Sequence, residues 1–201
     1  MDQFVCSRED FSSTGSCYGI VRNRLCTEKS SLNPISLYGQ SKVAGEKILT
    51  EIPCVILRFA TVFGVSPRMR TDLLINQLVL RAIRDKSITV YEAEAKRTFI
   101  HVRDAARSII FSLQNFSLLS GKVFNIGDES LNLTKRYVCD QIKKKINPLN
   151  ISYASSGYVD PDCRDYAVSY DRIHSVGFHT TVTLSQGLDE LINAFEYWEE
   201  K

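Results

Sequence analysis

Tyr38 and Lys42, in the segment Tyr38-Gly39-Gln40-Ser41-Lys42, place a phenol and an ammonium four positions apart. On a helix, residues at i and i+4 share one face. A cation beside a phenol favours the phenolate form. A phenol tuned in this way can take the proton of a substrate hydroxyl while hydride leaves the same carbon. The spacing alone does not single out this pair, because Tyr197 and Lys201 repeat it at the C-terminal end, where it reads as solvated surface.

Other segments stand at fixed order around the pair. Upstream lies Ser12-Ser13-Thr14-Gly15-Ser16-Cys17-Tyr18-Gly19, and Asn33-Pro34-Ile35-Ser36-Leu37 leads into Tyr38. Downstream come Leu57-Arg58-Phe59-Ala60-Thr61-Val62-Phe63-Gly64, Arg97-Thr98-Phe99-Ile100-His101-Val102-Arg103-Asp104, Phe124-Asn125-Ile126-Gly127 and, later, Arg164-Asp165-Tyr166. In this order they resemble the extended short-chain dehydrogenase/reductase family, the NAD-dependent sugar-nucleotide epimerases and dehydratases. The resemblance runs over residues 11–199 and implies roles residue by residue. Tyr38 would be the acid or base. Lys42 would hold the nicotinamide ribose and tune Tyr38, and Thr14 would bond the reacting sugar oxygen, with Ser16 beside it. A polar turn is the plainer reading of Thr14 and Ser16. Phe59 and Ala60 would pass beside the nicotinamide. Thr61, where many relatives carry Asn, would begin the sugar pocket with its one hydroxyl. Arg97 would meet the substrate diphosphate, since a guanidinium suits two phosphate oxygens at once; a surface ion pair is the alternative. Arg164 would close on the same diphosphate, although Asp160 stands where relatives often carry another Arg.

The residues after Thr14 sort the reactions that the resemblance allows. The family's 4,6-dehydratases follow this Thr with Asp-Glu, which exchange protons during elimination; here Gly15-Ser16 follows, and neither can do so. Decarboxylases carry an acidic residue near Ser16, absent here. The expectation is a 4-epimerase or 4-keto reductase acting on a nucleotide-diphosphate sugar with NAD or NADP. The family also needs a Gly-x-x-Gly turn for the cofactor pyrophosphate, and no two glycines of this chain have that spacing. The chain therefore resembles an N-terminally truncated member, with a complementing N-terminal chain or a homodimer as the implied partner. The alternative is a catalytically inactive homologue that binds nucleotide sugars or another subunit.

Elements must position these groups. A capping residue and Pro34 read as a helix entry at Ser30–Pro34, with the helix running to about Leu49. Pro53–Phe59 is a continuous apolar run suited to a strand buried on both faces of a parallel sheet. Asp72–Lys86, Asp104–Gln114, Thr134–Ile146 and Leu184–Glu199 read as helices. Ile88–Tyr91 and Thr98–Val102 read as strands flanking a turn, Lys122–Ile126 as a strand and Ile151–Ala154 as another. The first thirty residues, polar apart from Phe4–Cys6, give no clear pattern. Helices alternating with short strands indicate an α/β class. By the resemblance this is a partial Rossmann-type doubly wound parallel sheet, lacking its first strands and Gly-rich loop, with a smaller C-terminal substrate-binding lobe. The expected division is 1–86, the later part of the dinucleotide-binding domain, and 87–201, mainly the substrate lobe with late Rossmann elements interleaved.

Composition narrows the class further. The 201 residues are 44% hydrophobic and 24% charged, with net charge +2, ordinary for a globular protein. No strong field points to nucleic acid or an anionic membrane. No apolar run approaches the ~18 residues of a membrane span, and the start carries no secretion signal, so the expected location is cytoplasmic. The six cysteines form no C-x-x-C pair, and no His stands at zinc-ligand spacing. They read as reduced thiols, with Cys54 and Cys139 in the core. No metal site is expected. His101 reads as packed or hydrogen-bonded in its strand.

Overall fold

A computed structural model describes residues 9–49, 51–154 and 164–199. Cys6, Asp160, Cys163 and Lys201 lie outside the described residues. In chain order the elements are β1 (Glu9–Thr14), β2 (Ile20–Cys26), α1 (Leu37–Leu49), β3 (Cys54–Phe59), β4 (Thr61–Phe63), α2 (Leu74–Arg84), β5 (Ser87–Tyr91), β6 (Lys96–His101) and α3 (Val102–Gln114). They continue with α4 (Phe116–Leu119), β7 (Val123–Ile126), β8 (Asn132–Thr134), α5 (Lys135–Lys145), β9 (Asn150–Ala154), β10 (Asp165–Val168), α6 (Asp171–His174) and α7 (Leu184–Glu199).

The chain is α/β with a Rossmann-type parallel sheet. Its centre is β3, whose first five residues are buried, flanked in parallel by β1 and β7. Alternation along β1 sets the layers. Asp10 accepts a hydrogen bond from Ser112 of α3, whereas the ring of the next residue, Phe11, lies against Gly45 of α1. Successive side chains of a strand point to opposite faces, so α1 and α3 cover opposite sides of the sheet. The other strands form smaller sets: β2 with β10, β4 with β6 and β8, and β5 with β9.

Two apolar cores result. One gathers Cys17, Val55, Leu57, Ile100, Phe124, Ile126 and Tyr166 around the parallel sheet. The other gathers Phe63, Ile75, Val79, Phe99, Ile142, Leu188 and Leu191, where α2, α5 and α7 pack together. Segments on both sides of residue 86 enter each core. Cys54 and Cys139 are buried, as are Cys17 and Cys26, and all four are free thiols. No helix among the described residues is long and apolar enough to cross a membrane.

The structure departs from the sequence expectations at four places. The helix expected from Ser30–Pro34 begins only at Leu37. Asn33 instead donates its backbone N–H to the Cys17 carbonyl at 2.9 Å, and the Ser36 hydroxyl accepts from Gly39 N at 3.1 Å in the first helical turn. This docking needs Gly19, which has φ +73 and where a Cβ would lie 2.1 Å from the Asn33 carbonyl oxygen. Next, β5 and β6 are not partners, because parallel β9 pairs with β5 and parallel β4 with β6. The opening residues hold β1 and β2, hidden from pattern reading because β1 (EDFSST) buries hydroxyls rather than apolar side chains. Finally, β4, β8 and β10 are three or four residues long, too short to carry a period.

Candidate active site

Thr14, Phe59 and Ile126 stand abreast at the carboxyl ends of β1, β3 and β7. Ligands of open parallel sheets bind outside these ends. Thr14 closes β1 and caps the following 3-10 turn, Gly15–Tyr18, accepting from Ser16 N at 3.1 Å. Its hydroxyl donates to Ser16 Oγ at 3.1 Å, and Arg164 Nη1 donates to the same Ser16 oxygen. A turn cap and a bonded chain from Thr14 to Arg164 are therefore both present at this point.

Tyr38 and Lys42 share a face of α1, as their spacing requires. The Lys42 ammonium lies 5.8 Å from the centre of the Tyr38 ring and 5.0 Å from that of Phe11. Tyr38 itself is 55% exposed, so the structure does not sink it into the sheet end. Phe59 is partly buried and Ala60 is buried at the end of β3, where Ala60 N donates to the Ile126 carbonyl at 2.9 Å.

Thr61, Arg97 and Arg164, drawn from three distant stretches, line one cavity of about 230 Å³ with Asp72, Gln77 and Lys135. Arg97 is only 5% exposed. Arg97, Arg164 and Lys135 put three cationic side chains on the wall against the one carboxylate of Asp72, and guanidinium groups suit phosphate-type oxygens. Tyr166 packs beneath: its hydroxyl lies 3.2 Å from where a Gly15 Cβ would stand. Burial pushes its phenol up, while Arg164 and Arg97 pull the other way. A larger groove of about 420 Å³, lined by Asp128, Tyr137 and Thr183, contains none of the expected site residues.

The sequence reading gave no site role to Lys135, Asp72, Gln77 or Tyr166. Lys135 had a signal: it opens α5, and a cation in a first helical turn opposes the helix dipole. Its ammonium is held by the Tyr91 carbonyl at 3.1 Å and Glu92 at 3.4 Å. His101 is fully buried, accepting from Arg103 N at the start of α3 and lying 3.3 Å from Glu190. Burial lowers the His101 pKa, against the pull of Glu190. No cluster of His, Cys, Asp and Glu among the described residues could hold a metal ion.

Comparison with known proteins bears on this geometry. An uncharacterized UDP-glucose epimerase, YtcB, of Bacillus subtilis is 36% identical over 124 residues, 58% of this chain and 38% of its own length. The structure of a dTDP-glucose 4,6-dehydratase from Bacillus anthracis in complex with NAD superposes with TM-score 0.81 at 26% identity, over 96% of this chain and 63% of that one. A UDP-glucuronic acid 4-epimerase from Bacillus cereus, in complex with UDP-glucuronic acid and NAD, gives TM-score 0.80 at 25% identity, over 94% and 61%. The chain thus spans less than two thirds of each of these relatives. The family description "NAD dependent epimerase/dehydratase family" matches residues 6–127, more than half of the sequence. The chain belongs to the NAD-dependent epimerase/dehydratase family.

Proposed function

We propose that this chain carries the proton-transfer groups and the nucleotide-sugar pocket of an NAD(P)-dependent 4-epimerase or 4-keto reductase. The observation that carries the reading is the bonded chain Thr14–Ser16–Arg164, which runs from the carboxyl end of β1 to a cation-lined cavity. In this reading Arg97, Arg164 and Lys135 neutralise the substrate diphosphate in the cavity, and Thr61 hydrogen-bonds beside them. Thr14 and Ser16 orient the sugar hydroxyl, and Tyr38 Oη takes or returns its proton. The relatives' UDP- and dTDP-sugar names fit a nucleotide sugar as substrate.

The residues present fit the nicotinamide end of the cofactor. The Lys42 ammonium rests against ring faces, which leaves N–H groups for ribose hydroxyls, and small Ala60 lets a flat ring approach the strand end. When bound, NAD or NADP supplies a hydride acceptor. A second reading, a nucleotide-sugar-binding protein without turnover, is supported by Tyr38, which is 55% exposed rather than held in the sheet end.

The two readings separate in one experiment. The chain is incubated with UDP-glucose, UDP-glucuronic acid or dTDP-glucose, with and without NAD or NADP. C4 inversion is followed by NMR and binding by calorimetry. Cofactor-dependent inversion or reduction sustains the first reading; sugar binding with no cofactor effect sustains the second. Failure to bind any of these sugars sinks both.

A further inference from the structure

We infer that Glu46 and Arg58 are positioning residues, a buried ionic clamp that sets α1, with Tyr38 and Lys42, against the strand ends that carry Thr14, Phe59 and Ala60. The inference rests on the functional reading above and deepens it.

Glu46 follows Lys42 by one further helical step of four, so Tyr38, Lys42 and Glu46 fall on one stripe of α1. Where Tyr38 is exposed, Glu46 is 5% exposed, and so is Arg58. Arg58 grips the carboxylate with two nitrogens: Nη2 donates to Oε2 at 2.6 Å and Nε to Oε1 at 3.0 Å. Such a fork fixes angle as well as distance. The Ser13 hydroxyl donates to the same carboxylate. Ser13 immediately precedes Thr14, and Arg58 immediately precedes Phe59. One carboxylate therefore ties α1 to both strands, one residue short of the groups they present.

The remaining guanidinium nitrogen extends the network. Arg58 Nη1 donates to Tyr18 Oη at 3.2 Å and to the Glu28 carbonyl at 3.3 Å. Tyr18 Oη in turn donates to Asn125 Oδ1 of β7 at 2.6 Å. Burial works against the Arg58 cation, but its bonds to Glu46, together with the charges that Tyr18, Cys17 and Glu46 can carry beside it, outweigh that and hold its pKa raised. The network thus joins the elements bearing Thr14, Ser16, Tyr38, Lys42, Phe59 and Ala60. Buried ion pairs gain little stability over apolar packing of equal volume. Fixed angle is what this pair offers that leucine and methionine would not.

That contrast supplies the test. The double variant Glu46→Leu/Arg58→Met removes both charges and keeps volume. Its thermal midpoint is expected at or above that of the wild type, with kcat down about tenfold or more, since misplacement by about 1 Å is that costly. KM for the nucleotide sugar should stay within about twofold, because only a transition-state contact has been loosened. Should the double variant not fold, Arg58→Lys keeps the charge and loses the fork, and the same fall in kcat at constant KM is expected. Wild-type kcat in a folded variant overturns the clamp, as does a fall in kcat accompanied by a raised KM and a lowered thermal midpoint. If the wild type turns over no nucleotide sugar, the functional reading fails by itself. The clamp is then judged from crystal structures of wild type and variant: a Lys42 Nζ displaced from Thr14 Oγ1 by about 1 Å sustains it, and an unmoved one overturns it.

Discussion

Beneath β1 and β3 the interior holds Ser13, Glu46, Arg58 and Asn125 in one bonded network. Between α2, α5 and α7 it holds Ile75, Val79, Ile142, Leu188 and Leu191. Apart from Lys135 at the start of α5, paired with Glu92, charge in the second region stays at the rim, in the pairs Arg84–Glu199 and Lys145–Asp189. Apolar packing tolerates volume-conserving exchange of its side chains, so it stabilises a lobe without depending on a directional bond from any one of them. Directional bonds to buried charges do the reverse: they add little net stability and enforce geometry. The polar interior lies under the elements that carry the expected proton-transfer residues, where geometry decides rate.

That comparison can be broken at several strengths. The largest effect is expected from Tyr38→Phe, which removes only an exposed hydroxyl. Turnover in the NMR assay should fall about 10²–10⁴-fold with sugar affinity unchanged in calorimetry; lost affinity would assign Tyr38 to binding. Arg58→Ala leaves Glu46 buried and uncompensated, and urea unfolding should lose about 3–5 kcal/mol. A loss under half of that would mean water reaches the network. In the apolar lobe, Leu191→Ala should cost about 2–5 kcal/mol yet leave kcat intact, since no directional bond is lost. A matching fall in kcat would erase the distinction between the regions.

A pH titration sharpens the same contrast. Burial raises the Asp104 carboxyl, but N–H donors from Val182 and Thr181, with Arg107, outweigh it, and its folded pKa is lowered. Its stabilisation is therefore complete above the unfolded value of about 3.9 and is lost as pH falls through the folded value. Asp104→Asn should lower the thermal midpoint at neutral pH and flatten its decline below about pH 4. The smallest effect belongs to the rim: Arg84→Ala should leave the midpoint unchanged, because that pair is solvent-screened. A clear drop would show that the apolar lobe also leans on charge.

Much of this was legible in the residues. The run at Pro53–Phe59 announces a strand buried on both faces, and β3 is the sheet's centre. The helices α2, α3, α5 and α7 appear within a few residues of their expected places. Candidate site residues carried by motifs, Thr14, Tyr38, Lys42 and Arg97, could be proposed from the sequence because each sits in a short contiguous pattern. Lys135 and Tyr166 could not, since their relevance is a matter of which distant segments face them. Nor could β1 as a strand, because its buried positions are hydroxyls whose partners lie on α1 and in the following turn.

The sequence by itself determined what helix and strand periods impose: Tyr38, Lys42 and Glu46 on one stripe, and an apolar β3 that must lie inside a sheet. It also determined the order of the motifs, from which the family follows. Only the tertiary structure decided that Arg164 reaches Ser16, that Arg97 and Lys135 share its cavity, and that the carboxylate at the end of the stripe meets Arg58 and Ser13. Periodicity is local and needs a few residues to express itself. A partner across the sheet is chosen by how strands and helices dock, and no local pattern in the chain encodes that choice.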